Sequence, residues 1–505
     1  MKSLLDPNQA ARQPDDLALR AYTSRLLGGD HALVMHGGGN TSVKLREKGE
    51  DILYIKGSGA DLAQVAETDF VAVRLGQVRH LIELDALDNA QLIDAFHAAQ
   101  KDPAASRSSI ETLLHAVLPF QWVEHTHADA VLAVADTVHG EAHIRAALGD
   151  AALIVPYRHS GFDLAKACHD VFTRHATSKT IGIVLMHHGI FAFGNTARES
   201  YENMIELVNR AEEYLKKQRA WDIPLEFEGL AQEYSSGDKA SCLKLAALRH
   251  DISSAAGCPL ILSAFTDLFS LDFAHRPDLT SLARRGPATP HHAVFAKRVP
   301  LLGCDVAEYA RDYQLYISEN APADARWLPD PAPRIVFDSQ WGMCAAGVNA
   351  HYAQVAGEIA QHAMRIQSRA EALDGYLSLS PHEVLAAEIE YGGFEDKIRR
   401  DQPLAGQVMV VADALACRED VVALMEQGAA VVGLDRDVAV VTMFNQAGFL
   451  GIVCESGDAQ EAALPRGVRA FGGIDRLVGG DAVLAEMCRP FLALSPVKPG
   501  KSIEP

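Results

Sequence analysis

The stretch Thr180–Gly194 is apolar on both sides of one polar break, Met186-His187-His188-Gly189, and few architectures can house such a run. A segment apolar on both faces is a strand in a sheet covered from both sides, and the glycine lets it turn and return. A second segment, Val123-Glu124-His125-Thr126-His127, places its histidines by alternation. Successive strand side chains point to opposite faces, so His125 and His127 lie side by side while Glu124 and Thr126 face away. His-X-His on a strand is a bidentate clamp, and His188, against the glycine, is the natural third ligand. A catalytic zinc takes three protein ligands and keeps an open position for water or substrate. The chain carries 21 histidines, so the pair alone has a ready incidental explanation; the assignment rests on what accompanies it.

With 505 residues and 48% hydrophobic composition, the chain can bury a large core and is expected to divide into two or three domains. Its 66 acidic residues against 46 basic ones give a formal charge of −20, which repels phosphate backbones and anionic lipid surfaces. Neither nucleic acid nor membrane is expected as a partner. The eight cysteines are scattered with no CxxC pair and read as reduced cytosolic thiols. The amino terminus reaches Asp6 before an apolar leader can form, and no run is long enough to span a bilayer, so a soluble cytoplasmic protein is expected.

Helical spacing of apolar residues predicts a helix over 16–29 with a glycine stop. Two glycine-rich turns follow, within His36–Lys44 and Ile52–Ala60, and such loops can offer free backbone N–H groups to phosphate oxygens. Neither has the terminal Gly-Lys-Ser/Thr of a Walker loop, and each taken alone reads first as a tight turn. Ser108 and Glu111 have the spacing of a capping box, predicting a helix over Ser108–Leu118. Its amino terminus is also an anion site, one helix before the histidine clamp, and can bring Glu111 beside a metal.

Taken in order, Gly-Asn40-Thr-Ser, Lys-Gly-Ser58-Gly59, Ser108-Ser109-Ile-Glu111, His125-Thr-His127, Val-Pro-Tyr157 and His187-His188-Gly resemble the class II aldolase/adducin family over about residues 15 to 220. The resemblance implies an α/β/α fold around a mainly antiparallel sheet. It implies that His125, His127 and His188 hold zinc or another divalent metal, with Glu111 as the acid/base carboxylate. Asn40, Ser58, Gly59, Ser108 and Ser109 fall where the family binds the substrate phosphate. Tyr157 falls where a tyrosine reaches a neighbouring subunit's site as proton donor, which implies a homo-oligomer, a tetramer above all. His159 and His187 match no ligand and are read as structural. The implied reaction is cleavage of a phosphorylated ketose into a ketone phosphate and an aldehyde. The same site would also suit epimerisation, or decarboxylation of a sugar-acid phosphate. Adducin-like members that have lost their ligands are noncatalytic interaction modules; retention of the three histidines and Glu111 here speaks against that.

The Pro- and Glu-rich Ile223–Gly229 marks a boundary between a catalytic domain, 1–222, and a central α/β domain, 236–400. There a helix Ala240–Ala256, a strand Pro259–Ser263 and a helix Ala350–Leu373 are expected, with Arg284–Val294 a polar loop exposing His291 and His292. Residues 401–505 read as β-α-β, with Asp435 at the ribose position of a Rossmann unit. Ala412–Glu419 replaces the glycine-rich phosphate loop, and no Tyr-x-x-x-Lys dyad follows before Pro505, so a truncated Rossmann-like unit without NAD is expected. Phe471–Gly480 is similar to the fourth-strand region of short-chain dehydrogenases. The whole layout resembles fusions of a rhamnulose-phosphate aldolase with a short-chain dehydrogenase, the second part cut short.

Overall fold

Seven strands form the sheet of the first half: β1 (Asn40–Glu47), β2 (Glu50–Lys56), β3 (Phe70–Arg74), β4 (Trp122–Thr126), β5 (Ala152–Val155), β6 (Gly182–Leu185) and β7 (Gly189–Gly194). They lie in the order β3-β2-β1-β4-β7-β6-β5, and every neighbouring pair is antiparallel except β5 and β6. The computed structural model describes residues 1–226, 238–323, 325–454 and 457–497, with the backbone alone for 457–461. It falls into two compact units, Met1–Ile223 with Arg365–Leu379, and Pro224–Met364 with Ser380–Pro505. The last three residues of the segment Ile223–Gly229 lie outside the described residues.

In the first unit β4 and β7 are buried along their whole length, as central strands covered on both faces must be. On one face Val123, Phe191 and Phe193 pack with Leu113, Phe162 and Leu164 from the helices Thr112–Val117 and Phe162–His175. On the other, Glu124 meets Arg20 of the helix Asp16–Gly28 at 3.0 Å, with both side chains fully buried. Removing one member of such a pair strands the other charge, at about 3–5 kcal/mol. Thr126 contacts Met204 of the helix Ala197–Lys217 on that same face. The result is an α/β/α sandwich around a mainly antiparallel sheet.

The second unit holds two smaller sheets. β8 (Ile261–Phe265), β9 (Leu301–Leu302), β10 (Ile335–Asp338) and β11 (Gly342–Gly347) take the order β8-β11-β10-β9, with only β9 and β10 parallel. β12 (Val408–Ala412), β13 (Ala430–Asp435), β14 (Phe449–Val453) and β15 (Arg476–Val478) are all parallel in the order β14-β13-β12-β15. Counted from β12, that is the 3-2-1-4 half of a Rossmann sheet. Leu262 and Val336 of the first sheet share one core with Val410 and Val432 of the second. Arg249, buried on the helix Lys239–Ala256, holds Asp475 at 2.6 Å and donates to the carbonyls of Leu260 and Gly406.

The expected polar loop Arg284–Val294 is corrected by the structure: Pro290–Ala296 is a helix, and His292 on it is buried. Thr289 caps it by accepting from the His292 N–H, and Pro290 takes the first turn, where its missing N–H costs nothing. No helix among the described residues is long and apolar enough to cross a membrane.

Candidate metal centre

Strand register brings the site together. Asn40 of β1 and Phe191 of β7 stand directly opposite His125 of β4 on either side, so all three side chains share one face of the sheet. The Phe191 ring stacks on the His125 imidazole, centroids 4.3 Å apart and 15° from parallel. His127 follows one residue after β4 ends, and His188 sits in the tight connection between β6 and β7. The ring centroids of the three histidines lie 5.0, 5.1 and 5.4 Å apart. One ligand nitrogen from each falls within 4.8 Å of the other two, in a group that can hold a metal ion.

The chemistry of the donors fits a cation. His125 Nδ1 lies 3.1 Å from the Ile190 carbonyl, which fixes the proton on Nδ1 and turns the bare Nε2 toward the site. That Nε2 is buried and has no hydrogen-bond partner. Burial, with the positive charge of Lys56 behind it, lowers the His125 pKa to about 3 against the pull of the Ile190 carbonyl. The imidazole is therefore neutral at any ordinary pH, the form a metal binds.

Glu111 does not cap the helix as the Ser108/Glu111 spacing predicts. The helix begins only at Thr112, and Glu111 stands at its N-cap with no side-chain capping bond. Its carboxylate turns instead into the site, where Oε2 accepts from Asn40 Nδ2 at 2.6 Å. Oε2 stands 3.5 Å from His125 Nε2, and Oε1 stands 3.4 Å from His188 Nε2. Oε1 is buried and has no hydrogen-bond partner. Two orphaned atoms, a basic nitrogen and a carboxylate oxygen, thus face one point.

Sequence reasoning missed His115. Fully buried, it lies one helical turn after Glu111, a spacing that would have drawn attention to it. Asn40 spends its amide hydrogens on Ser109 and Glu111, so its Oδ1 must accept from His115 Nε2, 2.5 Å away. His115 Nδ1 then accepts from Ser42 Oγ at 2.8 Å. Burial holds this imidazole well below its ordinary pKa, as the arrangement requires. The chain Ser42, His115, Asn40, Glu111 fixes one carboxylate in place.

Ser58, Gly59, Ser108 and Ser109 come from two loops that a bridge between Gly57 and Ser108 joins. The Ser58 N–H is spent on the Arg107 carbonyl, while Ser108 Oγ is buried without a partner. Lys56, also unanticipated, lies beneath the glycine-rich turns and donates to the carbonyls of Gly37 and Ala60 at 2.9 and 2.6 Å. Burial lowers its pKa to about 8, opposed by Asp61 and Glu111. Tyr157 is half-buried in the loop after β5, an edge strand separated from β4 by β6 and β7. His159 follows in the same loop. His187 pairs with buried Asp136 at 3.1 Å, outside the triad.

Residues 18–215 match the class II aldolase and adducin N-terminal domain, and residues 240–398 match the second domain of class II aldolases. The chain belongs to the class II aldolase/adducin family. A Bacillus subtilis (strain 168) relative named uncharacterized oxidoreductase YuxG is 29% identical over 421 residues, covering 78% of this chain and 60% of its own length. The chain thus spans less than two thirds of that relative's length. The N-terminal class II aldolase domain of a conserved protein from Thermoplasma acidophilum is 33% identical over 43% of this chain and 99% of its own, with a TM-score of 0.40. An L-fuculose 1-phosphate aldolase from Glaciozyma antarctica PI12 is 13% identical over 44% of this chain and 85% of its own, with a TM-score of 0.27.

Proposed function

We propose that the first unit is a divalent-metal-dependent aldolase that cleaves a phosphorylated ketose into a ketone phosphate and an aldehyde. One observation carries the reading: His125 Nε2 and Glu111 Oε1 are both buried without hydrogen-bond partners, and the two oxygens of the Glu111 carboxylate stand 3.5 Å from His125 Nε2 and 3.4 Å from His188 Nε2 within the histidine group. Evolution rarely leaves such atoms idle, because each costs about 1–3 kcal/mol unless something binds it. His125, His127 and His188 would hold the metal, which when bound supplies Lewis-acid stabilisation of the charge that develops next to a substrate carbonyl.

The chain's own residues do the rest. Glu111, braced by Asn40, moves the proton on and off the substrate carbon, as general-base work requires a carboxylate fixed within reach. Ser58, Gly59, Ser108 and Ser109 are assigned the side on which the substrate phosphate would lie, with Ser108 offering an unspent hydroxyl and buried Lys56 holding the carbonyls of Gly37 and Ala60 in the neighbouring turns. Asn40 serves both ends through its position between Ser109 and Glu111. Tyr157, away from its own triad's strands, is assigned the proton donor's role in a neighbouring copy's site, which makes the active species a homo-oligomer.

The deciding experiment pairs elemental analysis of wild type and His125→Ala with a retro-aldol assay over several ketose 1-phosphates. The expected result is about one divalent ion per chain, lost with the substitution, and release of a ketone phosphate. Metal without cleavage of any of these substrates would refute the aldolase step and direct attention to epimerisation or decarboxylation. Absence of metal after reconstitution with zinc would refute the metal centre itself.

A further inference from the structure

The second unit contains a cavity of about 220 Å³ whose lining is chemically unusual for a structural interior. Lys297 and Glu388 both line it, and both are nearly fully buried, at 8% and 3% exposure. Lys297 ends the helix Pro290–Ala296 with a φ of 63°, a left-handed backbone that a side-chain-bearing residue adopts at a cost. Its Nζ donates to the Asp330 carbonyl and lies 3.4 Å from the Asp330 carboxylate. Glu388 accepts from the Tyr313 hydroxyl on Oε2, while Oε1 is buried with no hydrogen-bond partner. Trp327 and Phe394 supply apolar wall. The Trp327 ring lies so close to Gly392 that a Cβ there would stand 2.4 Å from it.

The surrounding charges are already matched. Arg334 forms paired bonds with Asp330 and Glu395, and Arg399 closes on Glu395 and Asp396. Lys297 pairs with Asp330, and Glu388, bonded by Tyr313 and faced by the charge of Arg298, lines the same cavity with one oxygen unspent. Burial holds the lysine below its usual range, with Asp330 opposing, and pushes the Glu388 carboxyl up to about 7 against the pull of Lys297 and Tyr313. Burial that disfavours the charged amine, in a cavity the lysine shares with a carboxyl, is the setting in which a lysine acts as a nucleophile.

We propose that this cavity is a second, metal-independent site, which takes a small aldehyde or ketone and holds it as an iminium on Lys297. The lysine nitrogen lone pair adds to the carbonyl carbon while the carbonyl oxygen takes the Glu388 proton. The added nitrogen returns a proton to Glu388, giving a neutral carbinolamine. Glu388 then protonates the carbinol hydroxyl, water departs, and the nitrogen lone pair closes the C=N bond. The balance is amine, carbonyl compound and one proton giving iminium and water, with no oxidant or reductant. A neutral amine still donates N–H to Asp330, so the existing contact survives until reaction.

The test is reductive trapping on the full chain with glycolaldehyde and sodium cyanoborohydride, read by peptide mass spectrometry. Lys297 should be alkylated at least tenfold faster than the exposed lysines, with a rate that saturates in aldehyde. Glu388→Gln, which keeps the shape and the Tyr313 partner, should slow labelling of Lys297 at least tenfold and leave exposed lysines unchanged. His125→Ala should label at Lys297 like wild type, which separates this site from the metal centre. Labelling of Lys297 no faster than that of exposed lysines in the wild-type protein would overturn the proposal, whatever the variants do.

Discussion

At the scale of single residues, His115 and Lys56 decide how well the two proposed ends of the first site are held. His115→Phe preserves packing against Phe191, whose ring meets it edge-on with centroids 5.2 Å apart, but removes the donor to Asn40. Asn40 then loses its orientation, and Glu111 with it. The expected outcome is a fall in kcat of about ten- to a hundredfold, with metal content unchanged and His115→Gln partly restoring the rate, because a carboxamide can still donate. A parallel loss of metal would show that His115 merely supports the fold. Lys56 gives a pH signature. A lysine keeps its proton to about 10.5 when unfolded but releases it from about 8 in the native protein, so across that interval the unfolded chain binds more protons and stability rises with pH. Chemical denaturation in phosphate-free buffer should therefore show wild type gaining about 2 kcal/mol relative to Lys56→Met between pH 7.5 and 9.5.

At the scale of elements, strand alternation was readable, and so were the starts of the helices at Asp16, Lys239 and Ala350, but two other helix starts were not. The period of two put His125 and Glu124 on opposite faces, and the structure has Glu124 against Arg20 and His125 against Asn40's side of the sheet. Ser108 and Glu111 misled because capping-box spacing says nothing about competing partners; Asn40, seventy-one positions away in sequence, takes the carboxylate instead. Thr289-Pro290 carried a helix-start signal that the run of polar neighbours obscured. The His115 relay and the Lys56 staple depend on contacts between β1, β2 and distant loops, which no local pattern records. The β6–β7 hairpin offers the sharpest test of an element's role. A Cβ on Gly189 would stand 2.4 Å from the Thr126 carbonyl, 3.0 Å from His127 and 3.1 Å from His125. Gly189→Ala should cost about 1–3 kcal/mol of stability and weaken metal binding together. Gly59→Ala, at φ 81° but facing open space, is the control: it should cost about 1–2 kcal/mol and leave metal content intact. Equal metal affinity in Gly189→Ala and wild type would mean that the hairpin does not set the triad.

At the scale of the whole molecule, the question is whether the parallel sheet of the second unit still serves a nucleotide. Its 3-2-1-4 order is that of a dinucleotide-binding half, and a longer relative bears the name oxidoreductase. The turn after β12 argues the other way. A pyrophosphate needs backbone N–H groups free at that turn and glycines that let it approach. Here Ala414, Leu415, Ala416 and Cys417 donate their N–H groups to the Leu434 carbonyl, the Asp435 carboxylate and the Asp413 carbonyl, and no glycine lies among them. Asp435, the acid that would meet a ribose hydroxyl, accepts from the N–H groups of both Leu415 and Asp437. It has become the clamp that closes the turn. Titration of the full chain with NAD⁺, NADH, NADP⁺ and NADPH, followed by calorimetry and by nicotinamide fluorescence, should give no saturable binding at millimolar concentrations. Asp435→Asn, which weakens the clamp without adding space, should bind no better. Saturable binding by the wild-type chain would mean that the turn opens for a ligand, and the sheet would then have to be read as a working cofactor site.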